Sequence, residues 1–227
     1  MLGRTPRPAQ GGFTLIELLV AIGILALMAV MGWRALDGMQ VANARTRDHT
    51  DAVLTLEAGL AQWGADLDAL LELPQITPID WDGRVLRITR RSSTDATEGV
   101  LVVAWTRANR NGTDQWLRWQ STPARTRADW QTAWQAAAQW AQSPGDSARQ
   151  REVALAPLAQ WQLYYARGGA WSNPLSSAGA PAAGASPAGN APVPDGVRLV
   201  LQLPATHPLA GTLTRDWVRP TLSSSTP

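Results

Sequence analysis

Cysteine is missing from this chain of 227 residues, and so is lysine: all 20 basic residues are arginine. Without cysteine there are no disulfides and no thiolate zinc sites, so the fold has to rest on its packed core. Histidine is scarce, with only His49 and His207, far apart in the chain. That leaves no histidine set for a metal, and neither a G-x-S-x-G nucleophile elbow nor a P-loop glycine pattern occurs. An excess of one charge is also lacking. Arg4 and Arg7 lie in the first twelve residues; apart from them, 18 arginines face 18 acidic residues. A neutral chain with no basic block argues against nucleic-acid binding. Proline is absent between Pro8 and Pro74, although fourteen of the 16 prolines lie from Pro74 onward. That distribution favours helix well before residue 74 and a different architecture after it.

What the chain has in abundance is tryptophan, 12 residues that supply a large apolar area for one domain. It also has one long apolar run, Phe13–Trp33, with a single charge at Glu17 and no proline. At about 1.5 Å per residue, such a helix is roughly 30 Å long, the thickness of a bilayer's hydrocarbon core. An ordinary secretory signal is cut after its apolar region. Here the basic stretch MLGRTPRPAQGG ends in Gly11-Gly12 before that region, so a cut between Gly12 and Phe13 removes the charges and keeps the helix. The two leader arginines place the N-terminus in the cytoplasm and the rest of the chain outside it. A carboxylate such as Glu17 costs on the order of 3 kcal/mol at mid-span, less near an edge. It stands fifth after the proposed cut, one helical turn in, where a charged amine at Phe13 of this chain or a neighbour is a natural partner. An uncleaved signal anchor and an acid snorkelling at the cytoplasmic edge are the simpler alternatives.

Gly12-Phe13-Thr14-Leu15-Ile16-Glu17, followed by the apolar helix, resembles the prepilin leader signature of type IV pilins and type II secretion pseudopilins. The resemblance implies that a membrane aspartyl peptidase, the prepilin peptidase, cuts after Gly12 and methylates the new amine of Phe13. It implies an assembly role for Glu17. Many major pilins carry a proline near the end of the span. Here the stretch reads Gly32-Trp33-Arg34-Ala35-Leu36-Asp37, which is similar to J-type minor pseudopilins. Trp161, Tyr164-Tyr165 and Trp171, then a loop, a Val-rich strand and Gly211, Leu213, Arg215 and Trp217, resemble the C-terminal half of the same subtype. The implied fold is α+β, a long N-terminal transmembrane and periplasmic helix packed against antiparallel β-sheets. The implied partners are I- and K-type minor pseudopilins, the major pseudopilin, the prepilin peptidase and the inner membrane. No cofactor, metal, catalytic residue, nucleic acid or small-molecule substrate is implied. Major pseudopilins bind calcium in a C-terminal acidic loop, which has no match here.

On this reading the chain divides into a leader (1–12), the membrane part of the helix (13–33) and its periplasmic part (34–72). A β-rich domain (73–220) and a tail (221–227) follow. Val53, Leu56, Leu60, Trp63, Leu67 and Leu70 repeat at helical spacing and form a stripe expected to lie on the globular domain. Gly38, Gly59 and Gly64 each weaken the helix by about 1 kcal/mol relative to alanine and are candidate bends. Beyond Pro74 the period changes, and six segments read as strands: Arg84–Arg91, Gly99–Arg107, Asp114–Gln120, Ala159–Ala166, Val197–Leu203 and Gly211–Arg219. Asn111-Gly112 signals a hairpin. Arg127–Gln142 reads as a helix with a capping box at Thr126 and Asp129 and a stop at Pro144-Gly145. Residues 172–196, rich in Ala, Pro, Gly and Ser, read as a disordered loop. Asp80-Trp81-Asp82-Gly83, the one metal-like fragment, reads as a turn into the first strand.

Three functions fit unequally. A minor pseudopilin accounts for Gly12, Phe13 and Glu17 together. A minor pilin of a type IV pilus accounts for them too, but many such pilins close a C-terminal loop with a disulfide. A signal-anchored periplasmic enzyme leaves all three residues unexplained.

Overall fold

The computed structural model describes residues 12–92, 99–176 and 193–220. The expected leader apart from Gly12, the centre of the expected 172–196 loop and the tail from 221 lie outside them. Two compact units divide the chain, Met1–Asp48 and His49–Pro227. Helix α1 (Leu15–Asp68) contributes residues to both. In the first unit every described residue is exposed, its apolar side chains included.

The second unit continues with strands β1 (Ile79–Trp81), β2 (Val85–Arg91), β3 (Val100–Arg110) and β4 (Thr113–Gln120). Helices α2 (Arg127–Gln142) and α3 (Asp146–Arg149) follow, then β5 (Glu152–Pro157), β6 (Gln160–Arg167), β7 (Ala170–Ser172), β8 (Gly196–Leu203) and β9 (Gly211–Val218). All pairings are antiparallel, in one sheet of order β1-β2-β3-β4-β5 and another of order β7-β6-β8-β9. The α+β fold expected from the sequence is therefore the fold observed, and all six expected strands are present. β1, β5 and β7 were not foreseen. Two of them are three residues long, too short to show a period, and β5 ends in Pro157. The expected 172–196 loop is shorter than drawn, because Ser172 belongs to β7 and Gly196 to β8. Asn111 and Gly112 both have positive φ, 52° and 83°, the two-residue turn whose twist suits a hairpin.

The five-stranded sheet is buried on both faces. Leu86, Ile88, Val103, Trp105 and Trp116 pack with Leu56, Trp63 and Leu67 of α1 and with the second sheet's Val197, Leu199 and Leu201. On the opposite face Val85, Val102, Leu117 and Trp119 pack with Trp130, Ala137 and Trp140 of α2. Helix α2 has its expected bounds and capping box: Thr126 Oγ1 accepts from the Asp129 N–H, and the Asp129 carboxylate accepts from the Thr126 N–H. Gly59 is a close-approach site rather than a bend. It is buried, and a Cβ there would lie 3.0 Å from the Trp116 ring.

One contact in this core is ionic. Asp66, in the last turn of α1, is fully buried. Its oxygens accept from Arg90 Nη1 at 2.5 Å, Arg118 Nε and Nη2 at 2.8 and 2.9 Å, Trp105 Nε1 at 2.9 Å and Gln62 Nε2 at 2.9 Å. β2, β3 and β4 each supply a donor, so the helix end is tied to three neighbouring strands. Asp68, two residues on, accepts from Trp217 Nε1 of β9 at 2.8 Å, and Glu72 pairs with Arg219.

Removing the Asp66 carboxylate strands two guanidinium groups whose side chains are only 6% and 12% exposed. Asp66→Ala is expected to cost about 3–5 kcal/mol in urea unfolding, while Asp51→Ala on an exposed helix position costs about 0.5 kcal/mol or less. A loss at Asp66 no larger than at Asp51 would contradict the clamp.

Glu152 supplies a pH prediction. Burial pushes its carboxyl up, but hydrogen bonds from Arg110 and Trp140 and the charges of Arg110 and Arg149 together hold it below the ordinary 4.5. Ionised Glu152 therefore adds stability above the unfolded value, and that contribution disappears as pH falls through the lowered folded value. The urea midpoint should drop between about pH 6 and about pH 3, and less steeply in Glu152→Gln. Equal slopes in the two proteins would count against it.

Candidate functional site

The residues singled out by the sequence sit at the head of α1. Gly12, Phe13 and Thr14 precede the first helical residue, Leu15, so the Gly12–Phe13 bond lies outside the helix in exposed chain. Phe13 is 86% exposed. The Thr14 carbonyl accepts the N–H groups of Glu17 and Leu18 at 3.1 and 3.2 Å and so starts the helical ladder. Glu17 falls in the first turn, where the positive end of the helix dipole favours an acid. Its carboxylate accepts from the Thr14 hydroxyl at 3.5 Å. Thr14-x-x-Glu17 has capping-box spacing, yet the Glu17 N–H is donated to the Thr14 carbonyl and not to its hydroxyl, so the bonds made are not those of a box. The structure brings Glu17 to Thr14 and not to Phe13. A free amine at Phe13 exists only once the peptide bond before it is cut.

Behind this head, the described residues contain one helix long and apolar enough to cross a membrane, α1. Leu15, Leu25, Met28, Met31 and Trp33 are each more than 60% exposed. Such a surface calls for lipid or other apolar helices around it.

The second unit holds a cleft of about 630 Å³, lined by Arg84, Arg107, Arg110, Gln142, Gln160 and Trp161 among others. Its cations are mostly matched. Arg107 pairs with Asp114, and Arg110 makes a two-pronged pair with Glu152. Arg84 has no acidic partner among the described residues. The lining offers guanidinium and amide groups, with its one carboxylate, Asp114, already engaged.

Other titratable candidates are committed elsewhere. Asp82 Oδ1 accepts from the N–H groups of Arg84 and Val85, both at 2.9 Å, and Asp80 pairs with Arg87. The metal-like fragment is thus a strand end and a turn. His207 accepts from the Leu209 N–H at 3.1 Å, and burial pushes its imidazole down, towards the neutral form. Burial pushes the Tyr165 phenol far up, so it stays protonated. Among the described residues no three His, Cys, Asp or Glu side chains come together as a ligand group. Seven of the 12 tryptophans are buried core residues, which settles most of them as packing rather than ligand stacking.

Against known proteins, residues 7–33 match the family described as "Prokaryotic N-terminal methylation motif". No curated protein matches the chain. Among solved structures, a chain of the GspK-GspI-GspJ complex from the enterotoxigenic Escherichia coli Type 2 Secretion System is similar at 15% identity and a TM-score of 0.44. That likeness covers 74% of this chain and 96% of the other. The motif spans Gly12, Phe13 and Glu17 and runs to Trp33: this chain carries a prepilin-type methylation motif at the head of a helix long enough to cross a membrane.

Proposed function

We propose that this chain is a minor pseudopilin of a type II secretion system, of the J subtype, working at the tip of a periplasmic pseudopilus that drives protein export. The observation that carries the reading is the methylation-motif match over residues 7–33, with its candidate cut at the exposed Gly12–Phe13 bond. The prepilin peptidase cuts after Gly12 and methylates Phe13. Residues 13–33 stay in the inner membrane with the N-terminus cytoplasmic, and residues 73–220 form the exported domain carried by the segment 34–72, helical as far as Asp68. Glu17 then answers the amine of Phe13 on a neighbouring subunit. The work is binding, helix against helix and domain against domain, with I- and K-type minor pseudopilins and the major pseudopilin as partners.

The J subtype rests on the sequence resemblance at Gly32–Asp37 and at Trp161, Tyr164, Tyr165 and Trp171. A minor pilin of a type IV pilus is the second reading, since the same N-terminal motif serves both. The lack of cysteine favours the pseudopilus.

Mass spectrometry of the chain expressed with its own prepilin peptidase tests the processing. The mature protein should begin with N-methylated Phe13, and Gly12→Val should keep the leader. A native chain that retains residues 1–12 beside active peptidase contradicts the proposal. Glu17→Leu should still be cut and inserted, yet enter the assembly on the order of a hundredfold less, the scale of one broken desolvated ion pair. Undiminished incorporation would remove Glu17 from the assembly role.

A further inference from the structure

The 630 Å³ cleft lies where three parts of the second unit meet: the turn before β2, the β3–β4 hairpin and the start of β6. Short bonds fix that meeting. The Leu158 N–H donates to the Asp114 carbonyl at 2.9 Å, and the Leu158 carbonyl accepts from Arg107 Nε at 3.1 Å. One residue on, the Ala159 N–H donates to the Gln202 carbonyl of β8 at 2.8 Å. The start of β6, and Trp161 with it, is thereby held against the hairpin. Trp161 is half-buried, and Trp81 braces it edge to face, with ring centroids 5.0 Å apart. The cleft is thus a preformed site with one fixed aromatic ring in its wall.

Apart from that indole the lining is mostly planar and polar: Arg84, Arg107, Asp114 and the amides of Asn109, Gln142 and Gln160. An apolar ligand would want the reverse proportion. A metal ion would meet one carboxylate, Asp114. A phosphate would meet guanidinium groups whose charge is mostly matched already, Arg107 by Asp114 and Arg110 by Glu152. An uncharged ligand rich in hydroxyls suits the same groups, because each hydroxyl both donates and accepts. Asp114 accepts from Arg107 and Asn109 and keeps lone pairs to spare, and a guanidinium has more N–H groups than one pair uses. Trp161 and Gly83 also line a second cavity of about 260 Å³, with Trp81, Tyr164, Gln162 and Asn173 around it. Aromatic rings beside amides therefore recur on the other side of Trp161. Two adjoining cavities that share one ring fit a chain of linked units better than a single small molecule.

We propose that these two cavities together form a binding site for a neutral oligosaccharide. Trp161 stacks on the C–H face of one pyranose ring, whose polarised hydrogens meet the negative face of the indole. Arg107, Asn109, Asp114 and Gln160 hold the hydroxyls of the sugar in the larger cleft. One carboxylate is not the pair that glycoside hydrolysis uses, so the sugar is bound and not cut. The site does not depend on which assembly the chain serves.

Indole N–H NMR on the full chain, in micelles of a zwitterionic detergent without a sugar headgroup, tests this. The probes are tetramers of β-1,4-linked N-acetylglucosamine, β-1,4-linked glucose and α-1,4-linked glucose, each at about 1 mM. At least one tetramer should shift the Trp81 and Trp161 resonances, and inorganic phosphate should not. Trp161→Ala should weaken binding about tenfold or more. Gln160→Ala, at an exposed position that leaves the fold intact, should weaken it about threefold. Trp171→Ala removes an accessible ring that lines neither cavity and should leave binding unchanged. No shift from any tetramer, or shifts from phosphate alone, would overturn the proposal. So would binding that survives Gln160→Ala undiminished, or that falls with Trp171→Ala.

Discussion

Asp66 is the contact on which the second unit's arrangement turns. Burial of Leu56, Trp63 and Leu67 supplies a non-directional attraction between helix and sheet. It leaves the helix free to slide or rotate by small steps at little cost. A buried carboxylate with five donors does not. Arg90, Trp105 and Arg118 come from three adjacent strands, and their positions are compatible with only one placement of Asp66. Asp68 fastens the same turn to Trp217 of the second sheet. Two acids in one turn thus set the helix end against both sheets. Gly59, about two turns before Asp66, lets the backbone come close to Trp116.

That fixed end matters because the same helix begins as an apolar, fully exposed segment in the first unit. In the proposed assembly role, forces on the helix pass to the domain through this end. A junction made of directional, desolvated ion pairs resists displacement better than apolar packing alone. At the other end of the helix Gly12 and Phe13 are exposed and precede it, and the Thr14 carbonyl starts the helical ladder.

Much of this was legible in the sequence, for physical reasons. The apolar run, the missing prolines and the 3,4-spaced stripe announced α1 and its buried face, and period-2 runs announced the long strands. Asn111-Gly112 and the Thr126–Asp129 box are local chemistry that needs no tertiary context. What escaped notice depended on long-range placement. Asp66 reads as an ordinary polar helix residue, because its partners on the strands lie 24 to 52 positions away. β1 and β7 are too short to carry a period. Glycine at 59 looked like a weak point in a helix until the Trp116 ring beneath it was seen.

Membership of a secretion pseudopilus tip is tested by co-expressing the full mature chain with the same cell's I- and K-type pseudopilins. Light scattering on the detergent-purified material then gives the mass of the protein part. A stable heteromer containing all three chains is the predicted result. Three folded proteins that elute separately, with this chain instead binding the cell's minor pilins, would contradict it.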